Sequence, residues 1–199
     1  MSGDALRSFL AADLSPQALA QAVQVIECLR REVPRGVRWV PEENLHLTLK
    51  FLGGVEPDFI SRLVTAASAK LEGLAPFEVV LGGLGAFPNA RRARVIWLGV
   101  CAGGAQLARL ARKLDAAAAR IGVERERRPY RTHLTLGRLR QPAPVALSGV
   151  PCPDGLPFSV EEVVLYESRL SSTGAQYIPL ARLPLRTADA RETNLAPEM

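Results

Sequence analysis

Short apolar runs alternate with amphipathic stretches along the chain, and their periods predict strands and helices in regular exchange. The run FLAADL at 9–14 reads as a strand, and Ser15-Pro16 supplies the cap and first-turn proline of a helix. Leu19, Val23, Ile26 and Leu29 recur at helical spacing along that helix, which is expected to end before Pro34. VRWV (37–40) and NLHLTLKFLGG (44–54) follow as strands. Glu56-Pro57-Asp58 opens a second helix, striped by Ile60, Leu63, Val64, Ala67 and Leu71. FEVVLGGLGAF (77–87) and RVIWLGV (94–100) are strand-like runs joined by the polar turn PNARRA. A third helix carries Leu107, Leu110, Ala111, Leu114, Ala118 and Ile121 and stops at Gly122. Another strand begins at 133, followed by a Pro-rich connection over 141–157. FSVEEVVLYESRL (158–170) and AQYIPLARLPL (175–185) close the pattern as a hairpin-like pair.

One word occurs twice. HLTL stands at 46–49 and again at 133–136, and the two copies contain both histidines of the chain. An internal duplication explains this, and predicts an α+β fold of two pseudo-symmetric lobes around a central cleft. Each lobe is expected to hold a mainly antiparallel sheet with packed helices. Residues 1–185 would form one two-lobed domain, and 186–199 a polar C-terminal tail.

Composition narrows the class. With 199 residues and 48% hydrophobic content, the chain can bury a substantial core without metals or disulfides. Cys28, Cys101 and Cys152 lack metal-type spacing and are read as reduced, buried small residues, which points to the cytoplasm. The first residues lack a basic stretch leading into an apolar one, so no secretory signal is expected. No apolar run reaches membrane-span length, and a monomer without membrane association is expected. A net charge of +5 favours an anionic partner, with nucleic acid the obvious candidate.

Strand geometry turns the repeated word into chemistry. Alternation puts His46 and Thr48 on one face with Leu47 and Leu49 on the other, and His133, Thr135, Leu134 and Leu136 repeat the arrangement. An imidazole and a hydroxyl about 6.6 Å apart along a strand suit a phosphate group. Displacement at phosphorus needs attacking and leaving oxygens in line, so imidazoles from opposite lobes could serve as base and acid. The threonine hydroxyls, with arginine, would stabilise charge on the equatorial oxygens. Two histidines without nearby Asp, Glu or Cys patterns do not build a usual metal site, so metal-free chemistry is expected. Such chemistry needs a reactive substrate. The strained 2',3'-cyclic phosphate at an RNA 3' end is one, formed by a 2'-hydroxyl that DNA lacks.

The segments ENLHLTLKFLG and RPYRTHLTLGRLR resemble the paired HxTx signatures of the two-histidine phosphoesterases, in particular RNA 2',3'-cyclic phosphodiesterases of the 2'-5' RNA ligase family. The likeness extends through FLAADL, RWVPEENLHLTLKFLG, GLGAFPNARRARVIWLGV and VVLYESRL, from about residue 6 to 185. It implies the two-lobed fold and hydrolysis of a terminal cyclic phosphate to a 2'-phosphomonoester, without cofactor. It also implies His46 as proton donor to the departing 3'-oxygen and His133 as proton acceptor from water, a split that strand symmetry leaves open. RNA with cyclic phosphate ends, tRNA fragments among them, is the partner it implies, and reversible 2'-5' joining of RNA ends belongs to the same chemistry. A non-catalytic RNA or nucleotide-binding module using the same cleft is the alternative.

Phe51 and Arg138 stand at equivalent places, each five residues after its histidine. The resemblance implies nucleoside stacking for Phe51 and phosphate contact for Arg138, with core packing the alternative for Phe51. Strict alternation would turn both away from the histidines, so a bulge at each strand end is required. ERERRPYR adds Arg125, Arg127, Arg128 and Arg131 as a candidate RNA path, with Tyr130 for stacking. Gly82, Gly83 and Gly85 lie inside a strand and precede Pro88 rather than a helix, so they are not read as a nucleotide loop.

Overall fold

The structure, a computed structural model, describes residues 5–33, 36–150, 155, 157–171 and 174–187. Among these, three α-helices and nine strands follow in the order β1 (Leu6–Asp13), α1 (Pro16–Glu32), β2 (Val37–Trp39), β3 (His46–Val55), α2 (Pro57–Leu71), β4 (Phe77–Phe87), β5 (Ala93–Ala102), α3 (Gly104–Arg120), β6 (Leu134–Ala143), β7 (Pro157–Val160), β8 (Glu162–Leu170) and β9 (Ala175–Pro184). They form two antiparallel sheets. The first has the order β3-β1-β8-β9 and the second β2-β6-β5-β4-β7. This is the α+β, two-sheet architecture expected from the duplicated word, with one HLTL strand assigned to each sheet.

The sheets do not divide the chain at its middle. β2 crosses from the N-terminal part into the second sheet, while β8 and β9 return to complete the first. The stretch 158–170, read from sequence as one strand, breaks at Glu161. Its first part pairs with β4 and its second with β1 and β9. The Glu161 carbonyl accepts a hydrogen bond from the Leu185 amide at 2.7 Å, which holds the chain where it changes sheets.

Helix starts follow the local chemistry. Ser15 caps α1 by accepting from the Ala18 amide at 3.2 Å, and Pro16 and Pro57 occupy first-turn positions of α1 and α2. The buried stripe of α1 is Ala18, Ala22, Val25, Ile26 and Leu29, with Leu19 and Val23 left at its margin. Small alanines let the helix backbone approach closely, which a reading led by bulky residues misses. Phe59, rather than Ile60 or Val64, joins Leu63, Ala67 and Leu71 on the buried side of α2. α2 packs on α3, and α3 packs on β3 and β5. Buried side chains from both sheets and all three helices form one contiguous cluster.

Two further expectations change. Cys28 is half-buried and Cys101 exposed at the end of β5, so neither is a fully buried small residue; Cys152 lies outside the described residues. Most of the 186–199 tail also lies outside them. One β4 glycine has a clear packing role. A Cβ on Gly85 would sit 2.1 Å from the Trp97 ring, so Gly85 makes room for the indole on β5.

Candidate active site

Both HLTL strands alternate as their sequence requires. Leu47, Leu134 and Leu136 are fully buried and Leu49 nearly so, while His46, Thr48, His133 and Thr135 are only half-buried. The leucines fix the strands in the core, and this fixes where the polar face points.

The histidines are held by one device used twice. His46 Nδ1 lies 2.8 Å from the Asn44 carbonyl oxygen, and His133 Nδ1 lies 2.8 Å from that of Arg131, in each case two residues upstream. A carbonyl only accepts, so each Nδ1 carries the hydrogen and each neutral ring keeps its lone pair on Nε2. His46 Nε2 is 2.9 Å from the Thr48 hydroxyl, which donates to it. The buried Asn44 is itself tied down, its Nδ2 donating to the Ala175 carbonyl at 2.7 Å.

Aromatic rings pack around both imidazoles. Phe9 stacks on His46 at 4.8 Å between centroids, and Tyr177 meets it edge-on at 5.2 Å. Phe87 meets His133 edge-on at 5.0 Å. Sequence reasoning passed over Phe9, Phe87 and Tyr177 as strand residues. Their only sequence signal is an aromatic ring on the strand face that also carries polar groups.

The required bulges are present. Between β1 and β3 the register slips so that Leu10 pairs with Lys50 and Ala11 with Thr48, leaving Leu49 as the extra residue. Between β5 and β6, Ile96 pairs with Gly137 and Trp97 with Thr135, leaving Leu136 extra. Each bulge turns the residues beyond it by one position and brings Phe51 and Arg138 to the histidine face. Phe51 is 61% exposed, which overturns the core-packing alternative.

A cleft runs between the sheets as two joined hollows. One of about 880 Å³ lies on the His133 side and includes Phe87, Tyr130 and Arg131 in its wall. The other, of about 460 Å³, lies on the His46 side with Phe9, Asn44 and Tyr177. Thr48, Phe51, Thr135 and Arg138 line both, so hydroxyls from the two sheets share one wall with a guanidinium. Tyr130 is committed as a strut, its hydroxyl donating to the Thr48 carbonyl at 2.9 Å. Arg131 is exposed at the wall and supplies the carbonyl that orients His133. Of the arginine run, Arg125 and Arg127 are paired with Asp115 and Glu124.

Electrostatics in the cleft favour neutral imidazoles. Burial, aided by the charges of Arg138 and His133, lowers the His46 pKa to about 4 against the opposing hydrogen bond to Asn44. His133 is lowered by burial first and by Arg138, against the Arg131 carbonyl. Behind the site, the buried Lys50 of β3 reaches Asp115 of α3 at 2.9 Å and the Glu124 carbonyl at 2.9 Å. It thereby joins the first motif strand to the segment that leads to the second.

Paired His-x-Thr strands from two antiparallel sheets, closing on a cleft with an arginine in its wall, define a phosphate-handling class of α+β proteins. The family model described as LigT like Phosphoesterase matches residues 13–97 and again 98–177, one histidine motif in each segment, and the chain belongs to this family. The chain is 39% identical over 137 residues to the RNA 2',3'-cyclic phosphodiesterase of Methanothermobacter thermautotrophicus, covering 69% of this chain and 73% of that one. A crystal structure from Thermus thermophilus superposes with a TM-score of 0.77 at 32% identity, covering 92% of this chain and 99% of the other. Escherichia coli LigT complexed with 3'-AMP gives 0.75 at 31% identity, over 91% and 98% of the two chains. Among the described residues, no helix is long and apolar enough to cross a membrane.

Proposed function

We infer that this chain hydrolyses a terminal RNA 2',3'-cyclic phosphate to a 2'-phosphomonoester. The observation that carries the reading is the shared wall of Thr48, Thr135 and Arg138 between hollows that hold one imidazole each. His133 Nε2 takes a proton from water as the water oxygen bonds to phosphorus; the bond to the 3'-oxygen breaks, and His46 Nε2 supplies that oxygen with its proton. The donors of Thr48, Thr135 and Arg138 face the charge that gathers on the non-bridging oxygens. Phe51 offers an exposed ring for the terminal base.

In this scheme His46 must be protonated when substrate is bound, although burial lowers its pKa to about 4. An anionic phosphate beside the ring opposes the burial that lowers this value, and with it the repulsion from Arg138 and His133, so substrate binding favours the charged acid. The relatives' names and the LigT complex with 3'-AMP support a cyclic phosphate on RNA as the substrate.

The test is incubation of an oligoribonucleotide ending in a 2',3'-cyclic phosphate, with identification of the product isomer. A 2'-phosphate is expected, in the presence of chelator as in its absence. His46→Ala and His133→Ala are each expected to abolish turnover while binding persists. Turnover surviving either change would overturn the two-histidine mechanism, and a parent protein that binds RNA without cleaving it would overturn the reading in favour of a binding module.

A further inference from the structure

The first motif strand is fastened by side chains to the segment that enters the second motif. β3 is an edge strand of the first sheet, so one row of its backbone groups has no strand beside it. The segment from Glu124 to Tyr130 meets β3 there. Residues 124–129 are all exposed, and 124–132 make no backbone–backbone hydrogen bond among the described residues. Neither a buried face nor a ladder therefore sets the path of this segment. Side chains do so instead. Lys50 of β3 donates to the Glu124 carbonyl at 2.9 Å, the Glu126 amide donates to Asp115 of α3 at 3.0 Å, and the Tyr130 hydroxyl donates to the Thr48 carbonyl at 2.9 Å.

The last of these contacts stands closest to the chemistry. Thr48 is the hydroxyl residue of the first motif, and Tyr130 precedes Arg131, whose carbonyl holds His133 Nδ1 at 2.8 Å. One hydrogen bond thus links the strand that carries His46 to the backbone that orients His133. Without it, the stretch that makes no hydrogen bond or ion pair to the rest of the described fold would grow from 131–133 to 127–133. Burial holds the phenol well above its ordinary pKa, so the hydroxyl stays protonated and keeps donating. The ring itself packs against the hydrophobic core, so a phenylalanine at this place would keep that packing and lose only the bond. In-line displacement tolerates little error in where the base stands, and this bond acts on that distance.

We propose that Tyr130 is a positioning residue, whose hydroxyl, anchored on the Thr48 carbonyl, sets the place of His133 relative to His46 across the phosphate. It acts through the Arg131 carbonyl, which keeps the His133 hydrogen on Nδ1 and leaves Nε2 free to take the proton from water. The effect on rate rests on the cyclic phosphodiesterase reading above; the effect on the state of His133 does not.

The test compares Tyr130→Phe with the parent on an RNA ending in a 2',3'-cyclic phosphate. kcat is expected to fall about tenfold, because small displacements of a reacting group cost rate steeply, while KM stays within about twofold of the parent. The chain has two histidines, so imidazole nitrogen NMR spectra recorded above neutral pH show two rings, assigned with His46→Ala. In the parent, His133 should give the pattern of a ring protonated at Nδ1; in Tyr130→Phe it should move toward a mixture of tautomers while the His46 pattern stays. Ser15→Ala removes the α1 cap at a comparable cost in stability, and is expected to keep parental kcat and the parental His133 pattern. The proposal fails if kcat of Tyr130→Phe is parental, if KM rises in its place, if the His133 pattern does not move, or if Ser15→Ala reproduces the loss. Should the parent turn over no cyclic phosphate, the cyclic phosphodiesterase reading goes, and the His133 spectrum alone decides whether Tyr130 positions that ring.

Discussion

Replacing His46 by Asn tests the electrostatic account of the cleft without measuring catalysis. Above about pH 6.5 the imidazole is neutral in both folded and unfolded chains, and it adds nothing to the pH dependence of stability. As pH falls through the unfolded value of 6.5 the unfolded chain takes up a proton that the folded chain refuses until about 4. Stability therefore drops across this window and levels off below it. The full gap corresponds to about 3 kcal/mol at about 1.36 kcal/mol per pH unit. At about pH 5 the loss relative to about pH 8 is about 2 kcal/mol, an upper figure because the ring is only half-buried. His133 is shifted the same way and contributes in the same window, so the informative quantity is the difference between parent and variant. Urea unfolding of both proteins at the two pH values supplies it. The parent should lose about 2 kcal/mol more than His46→Asn on going to about pH 5. Parallel losses in the two proteins would show that the imidazole protonates freely in the folded chain, and the picture of a cleft that charges its acid only on binding phosphate would fail.

Binding of a 2'-nucleotide near neutral pH should draw protons into the site, because the ligand's charge raises both depressed histidine values; calorimetry in buffers of different ionisation enthalpy reads this directly, and no net uptake would contradict it. Lys50→Met removes the buried partner of Asp115, which keeps Arg125 and the Glu126 amide, and should cost about 2 kcal/mol, with Asp115→Asn in the same chain recovering part of it; denaturant midpoints of the single and double variants decide. Gly85→Ala pushes a methyl into the Trp97 ring and should cost about 1–3 kcal/mol, seen as a lower melting temperature.

The elements legible in sequence are those whose period is clean. β3 and β6 announce themselves by leucines at every second place, and Ser15-Pro16 fixes the start of α1. The β7–β8 break was hidden because Phe158-Ser-Val160 and Val163-Val-Leu165 are equally strand-like, and the change of sheet depends on which distant strands are free to pair. The same limit applies to the site. His46, Thr48, His133 and Thr135 share a face by local geometry alone, whereas Phe9, Phe87 and Tyr177 reach the imidazoles through sheet contacts that no spacing encodes. Tyr130, read from sequence as a stacking ring, lines the cleft and also donates its hydroxyl to the Thr48 carbonyl, a contact that no spacing encodes.

The bulges connect the two levels. A strand of strict period 2 presents His and Thr but turns the fifth residue after His toward the core. For Phe51 and Arg138 to stand beside the imidazoles, one extra residue must be taken up in each strand, and Leu49 and Leu136, the closing leucine of each HLTL, are those residues. The burial pattern records the cost: Leu49 and Lys50 are buried in succession on β3, as are Leu136 and Gly137 on β6. A side chain after a bulge must therefore be one the core can accept. On β6 this is Gly137, where a Cβ would collide with Val37 and Trp39. On β3 it is Lys50, whose buried ammonium requires Asp115 and the Glu124 carbonyl. The two copies thus solve one geometric problem by opposite means, a missing side chain in one sheet and a neutralised charge in the other. The second solution also tethers β3 to the segment that carries His133.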